Sequence, residues 1–128
     1  MTAERRREER HGACMLNHML SYEISPRELQ EILAAGGEKP VLLDVRESWE
    51  TEEARIEGSV LIPLGQIQSR ARAELDTGAR IVAICHHGQR SMSATAWLRD
   101  QGYERVQSLH GGIDAWSVEV DPSVPRYF

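Results

Sequence analysis

Lysine is all but missing from this chain: Lys39 stands alone among 15 basic residues, against 20 acidic ones and a formal charge of -5. Neutralising phosphates takes a clustered positive field, so no nucleic-acid partner is expected. The one basic run, RRREER at positions 5–10, interleaves its arginines with Glu8 and Glu9 and follows Glu4, so it reads as a solvated or fraying segment. Cysteine is scarce too. Cys14 and Cys85 lie far apart, do not make a disulfide framework, and follow no signal peptide. A reducing, cytoplasmic compartment with free thiols is therefore expected. Long apolar runs are absent: VLL and IVAIC are strand-sized, whereas a span needs about 18 apolar residues, so no membrane partner is expected. What remains, 128 residues with 41% hydrophobic and 27% charged, suits one soluble domain with one real core.

Residues 1–19 read as a charged extension, 20–120 as the folded domain and 121–128 as a tail. In SPRELQEILAAGG, Ser25 serves as N-cap, Pro26 suits the first helical position and Glu28 completes a capping box. Leu29, Ile32 and Leu33 form one apolar face, and Gly36 with Gly37 ends the helix. PVLLDVR, VLIPL, IVAIC and RVQSLHGG read as strands. SWETEEARIEGS reads as a short helix or irregular turn, and Gln66 to Leu75, SMSATAWLRDQG and IDAWSVE as helical segments. The closing VDPSVPRYF, with two prolines, is expected to wrap the surface. This alternation predicts an α/β fold of three layers, with helices on both faces of a mostly parallel sheet of about five strands. Ligands in such folds gather at the carboxyl ends of strands, where Cys85 sits.

The stretch CHHGQRS runs from that strand end into a helix. A turn through His86, His87, Gly88, Gln89 and Arg90 can curl so that successive N–H groups face inward, a nest for an anion. Gly88 allows positive φ where the curl needs it, and a helix opening near Ser91 adds unpaired N–H groups and a positive dipole end. These features favour the thiolate of Cys85. Arg90 closes the loop, where it either binds an anionic substrate or braces the loop against an acidic neighbour such as Asp44 or Glu47. His86 and His87 read as loop shape and polarity, because neighbours in a tight loop point apart and do not converge on one ion. A second group, His11, Cys14 and His18, has no fourth ligand nearby. Neither a metal nor a cofactor is expected.

Four segments, in this order, resemble the rhodanese family of sulfurtransferases in its single-domain form. LLDVRESWE is similar to the family's strand and Asp-Val-Arg turn, and RIEGSVLIPL to the segment before its Ile-Pro pair. IVAICHHGQRSMSATAWLRDQGYERV resembles the active-site strand, loop and helix, and LHGGIDAW the Gly-Gly-Ile-x-x-Trp signature. The resemblance implies a persulfide-forming nucleophile at Cys85, an anion-cradling backbone from His86 to Arg90, and a supporting hydroxyl at Ser91. It also implies a structural acid and base at Asp44 and Arg46, and framework positions at Gly111, Gly112 and Trp116. Arg55 and Glu57 depart from the family pattern, standing where a histidine and a proline are customary.

Phosphatases and arsenate reductases of the same superfamily also place a cysteine before an arginine-closed loop, but the resembling phosphatases carry one more residue. The six residues from Cys85 to Arg90 look sized for one added sulfur atom. A phosphatase would also want an acid, for which Glu47 or Glu50 would have to serve. The resemblance thus implies transfer of sulfane sulfur from a small anionic donor such as thiosulfate to cyanide, a thiol or a protein cysteine. A catalytically idle interaction module is the alternative. Sulfur transfer calls for a thiol at the mouth of an inward-facing ring of amides. Cys14 is either a bystander or a resolving thiol.

Overall fold

The computed structural model describes residues 20–128. Cys14 and the group His11, Cys14 and His18 lie outside the described residues. Helix α1 (Pro26–Ala34) opens as its sequence predicts: the Glu28 amide donates to Ser25 Oγ at 3.1 Å, and the Ser25 amide donates to Glu28 Oε1 at 3.0 Å. Leu29 is fully buried, and Ile32 and Leu33 pack on the same core.

Strands β1 (Glu23–Ile24), β2 (Val41–Asp44), β3 (Val60–Leu61), β4 (Ile81–Ile84) and β5 (Val106–Leu109) form one parallel sheet in the order β1-β5-β4-β2-β3. The register sets Leu43 against Ala83 and Ala83 against Ser108. Strand β1 has two residues, too few for a period-2 pattern to declare itself; its partners are Ser108 and Leu109. Strand β3 is shorter than VLIPL suggests. Pro63 has no N–H to continue a ladder, and the chain swings away with Ile62 and Leu64 amides still bonded to Asp44 and Val45 carbonyls.

Helices α2 (Ser48–Glu53), α3 (Ile67–Glu74), α4 (Gln89–Asp100) and α5 (Gly112–Glu119) complete the fold. All four residues of β4 are buried, and they divide by parity. Ile81 and Ala83 pack with Ile67, Ala71, Ala94 and Leu98 of α3 and α4, while Val82 and Ile84 pack with Leu29 of α1 and Ile113 and Trp116 of α5. The continuous apolar run thus serves two cores at once, which is what makes the fold three-layered. Helix α4 starts at Gln89, two residues before the expected Ser91. The segment 121–128 runs back over the domain: Val124 is buried in the second core, and Ser117 Oγ donates to its carbonyl at 2.6 Å. Among the described residues no helix is long and apolar enough to cross a membrane.

The glycine pair of LHGGIDAW has a packing reason. Gly111 and Gly112 take φ of +76° and +65°, and this turn aims the first amides of α5 at the chain that leaves β4. Ile113 donates to the Cys85 carbonyl at 2.8 Å and Asp114 to the His86 carbonyl at 3.1 Å. A Cβ on Gly112 would stand 2.5 Å from the Cys85 carbonyl oxygen and closer still to that of His86. Backbone cannot retreat from backbone there. Gly112→Ala is expected to destabilise the fold by about 3–4 kcal/mol through clash and positive φ together, read as a lower urea midpoint at unchanged slope.

Candidate active site

Cys85 follows the last residue of β4, and the chain turns at once because Gly88 adopts φ of +108°. The Gly88 amide donates to Cys85 Sγ at 3.0 Å and the Ser91 amide at 3.3 Å. Ser91 Oγ lies 3.3 Å from the sulfur, 2.7 Å from Ser108 Oγ and 3.2 Å from the Gly88 carbonyl. A hydroxyl carries one proton, so Ser91 cannot donate to all three. When the sulfur is an anion, Ser91 donates to it and Ser108, buried on β5, donates to Ser91. Ser108 was not singled out from the sequence; a serine inside a strand gives no sign of what its hydroxyl meets.

Cys85 is only 1% exposed. Its sulfur sits on the floor of the loop, not at the mouth as the sequence suggested, because α5 closes over the backbone beside it.

Arg90 does not face Asp44 or Glu47. Its guanidinium meets Glu50 of α2 with NH1 at 2.6 Å from Oε1 and NH2 at 2.8 Å from Oε2, a two-pronged pair. Glu50 is 3% exposed and also accepts from the Glu47 amide at 3.0 Å and from the Tyr127 hydroxyl at 2.8 Å. A glutamate in the first turn that reaches back to the residue before the helix is a common capping arrangement, and here it turns the carboxylate toward the loop. The Arg90 guanidinium, helped by the Glu47 amide and Tyr127, holds this carboxyl down at about 2 against the opposing effect of burial. Glu50 is therefore ionised at neutral pH and cannot serve as the acid a phosphatase would want. The same pairing raises Arg90.

Asp44 and Arg46 lie behind this pair and do not touch the sulfur. Arg46 has no exposed side-chain surface, and each of its five N–H groups has an acceptor. Nε and NH2 donate to the two oxygens of Asp44 at 2.9 and 2.7 Å, and NH2 donates to the Ala54 carbonyl at 2.7 Å. NH1 donates to the Tyr127 hydroxyl at 3.0 Å and the Glu50 carbonyl at 3.3 Å. Burial opposes the charge, yet the bonds to Asp44 and Tyr127 raise the group's affinity for its proton.

The histidines do not diverge as expected. Their rings stack 4.0 Å apart at 21°, and the far face of His86 stacks on Tyr127 at 4.0 Å and 10°. The tail places a third ring in the pile, which holds His86 flat. Burial, with His87 close by, lowers the affinity of His86 for a proton. One ligand atom each from His86, His87 and Asp114 lie within 4.8 Å of one another, so the fold brings together two side chains expected to point apart. His87 and Gln89 are exposed at the rim. The family departures fall in solvent: the Arg55 and Glu57 side chains are 62% and 87% exposed, while Ile56 between them stays in the core. Tyr127 was missed because an aromatic in a proline-bounded tail has no spacing that ties it to a site.

The rhodanese-like domain family model matches residues 25–119, and the chain belongs to that family. It is 41% identical over 93 residues to the rhodanese-like/PpiC domain-containing protein 12, chloroplastic, of Arabidopsis thaliana, which covers 67% of this chain and 30% of that protein. It is 34% identical over 113 residues to the adenylyltransferase and sulfurtransferase MOCS3-2 of Zea mays, covering 84% of this chain and 23% of that one. The chain thus spans less than a third of the length of these curated relatives. Among solved structures, the human single domain sulfurtransferase TSTD1 aligns with a TM-score of 0.70 at 25% identity, over 78% of this chain and 98% of that one.

Glu50 titrates lower in the fold than its ordinary 4.5, so its contribution is complete above about pH 4.5 and fades as pH falls toward 2. Glu50→Gln is expected to cost about 1–2 kcal/mol at neutral pH, since it leaves Arg90 without its counter-charge while water screens the 36% of that side chain that is exposed. The gap between wild-type and variant stability, followed by urea unfolding, should narrow across that acidic window.

Proposed function

We propose that this chain is a sulfurtransferase that carries sulfane sulfur as a persulfide on Cys85. The observation that carries the proposal is the pair of amides, Gly88 and Ser91, that donate to the sulfur of a strand-end cysteine inside a six-residue loop closed by Arg90. Membership of the rhodanese-like family and similarity to proteins named as sulfurtransferases support it.

The chemistry balances without a cofactor. The Cys85 thiolate attacks the outer sulfur of thiosulfate, a bond forms between Sγ and that sulfur, and the sulfur–sulfur bond of the donor breaks as sulfite leaves with the electron pair. The negative charge now rests on the outer sulfur. The Gly88 and Ser91 amides and the Ser91 hydroxyl, which face Sγ before loading, are the donors this reading assigns to it. Cyanide or a thiolate then attacks the outer sulfur, giving thiocyanate or a new persulfide and returning the Cys85 thiolate. In this scheme Arg90 braces the loop through the two N–H groups it donates to Glu50 and turns its remaining N–H groups to an anionic donor. His87 and Gln89, exposed at the rim, meet donor and acceptor, and Asp44 and Arg46 support the loop from behind. A phosphatase is disfavoured by the ionised Glu50 and the short loop.

The closed sulfur also suits an idle interaction module, and one measurement separates the two. Incubation with thiosulfate is expected to make the intact protein one sulfur atom heavier, and cyanide should strip that atom as thiocyanate. Cys85→Ser should show neither product. If wild-type protein takes up no sulfur from thiosulfate or an organic persulfide, the transfer proposal fails and the binding module stands.

A further inference from the structure

We propose that Tyr127 is a positioning residue for the Cys85 loop, holding both of its ends at once through its ring on His86 and its hydroxyl on the carboxylate that fixes Arg90. His86 is the first residue after the cysteine and Arg90 the last of the loop. Among the described residues, Tyr127 is the side chain that both stacks on His86 and hydrogen-bonds the partner of Arg90.

The direction of the hydrogen bonds is forced. An arginine N–H can only donate, so the Tyr127 oxygen accepts from Arg46 at 3.0 Å, and its own proton is free for the ionised Glu50 at 2.8 Å. The hydroxyl thus joins two ion pairs, Asp44 with Arg46 and Glu50 with Arg90, into one chain that runs from the end of β2 to the end of the loop. Burial pushes the phenol up to about 12, which keeps that donor proton in place through neutral pH. The groups facing the phenol are Arg46, Glu50 and His86, with Trp49 edge-on at 6.2 Å.

The tail that bears Tyr127 is itself held. Arg126 pairs with Asp114 through bonds of 2.8 and 3.1 Å, and the Asp114 amide is the one that donates to the His86 carbonyl. Val124 sits in the core two residues before that arginine. Loop, α5 and tail therefore interlock, and Tyr127 is where the tail's order passes to the loop.

The effect on sulfur loading rests on the function proposed above, but the geometry can be tested apart from it. Tyr127→Phe keeps the ring and loses the hydroxyl; Tyr127→Leu loses both. In the 128-residue chain well below its unfolding temperature, the rate of sulfur loading from thiosulfate is expected to fall about fivefold for the first and about fiftyfold for the second. The pH profile of Cys85 alkylation by iodoacetamide, read on the Cys85 peptide by mass spectrometry, should move to higher pH in both variants, because a loosened loop no longer presents its donors to the anion. Since the hydroxyl acts through Glu50, adding Tyr127→Phe to Glu50→Gln should slow loading little further. Fully additive losses would overturn the route through Glu50. Wild-type loading and alkylation profiles in variants that merely melt lower would reduce Tyr127 to an anchor of the tail and overturn the proposal. If wild-type protein loads no sulfur, the transfer function fails while the alkylation profiles still decide the role of Tyr127.

Discussion

A guanidinium shut away from water must place every N–H on protein, and Arg46 does so with five acceptors drawn from four places in the chain. Leaving even one unpaired would cost about 1–3 kcal/mol, and leaving the charge itself unpaired would cost more. The requirement therefore acts as a constraint on everything it touches. It fixes the turn after β2 through Asp44, the two ends of α2 through the carbonyls of Glu50 and Ala54, and the tail through Tyr127. Once α2 is placed, the Glu50 side chain is aimed at the loop, and Arg90 pairs with it.

The loop is consequently held from three sides by separate parts of the fold. Helix α4 supplies the Ser91 amide and hydroxyl, α5 takes up the carbonyls of Cys85 and His86, and α2 with the tail grips Arg90 and His86. A cradle built this way is preorganised: its dipoles face the sulfur before any substrate arrives, and their orientation is set by packing. The same crowding leaves the sulfur with almost no solvent contact. Stiffness of the ring and closure of its mouth have one cause.

Arg55 and Glu57 replace customary residues on a segment that faces water, and the core contact through Ile56 is untouched. Gly111 and Gly112 lie where neighbouring atoms leave no room for a side chain on either glycine.

Much of the architecture was legible in the residues alone, because helix caps, short apolar runs and glycine stops are encoded over a few positions. Ser25, Pro26 and Glu28 declared α1, and the unbroken apolar run of β4 declared a strand covered on both faces. The thiol, its loop and the glycine at the bend were legible for the same reason, since they are neighbours in sequence. The two-residue β1 was not, being too short to carry a pattern. Nor were Glu50 as partner of Arg90, Ser108 behind Ser91, or Tyr127 on His86, which join residues 40, 17 and 41 positions apart. Sequence by itself determined which elements form and which sulfur ends a strand, because those follow from local backbone preference and burial. Only the tertiary structure decided which charge meets which and how deeply that sulfur lies, because these depend on distances between chain segments that no local preference specifies.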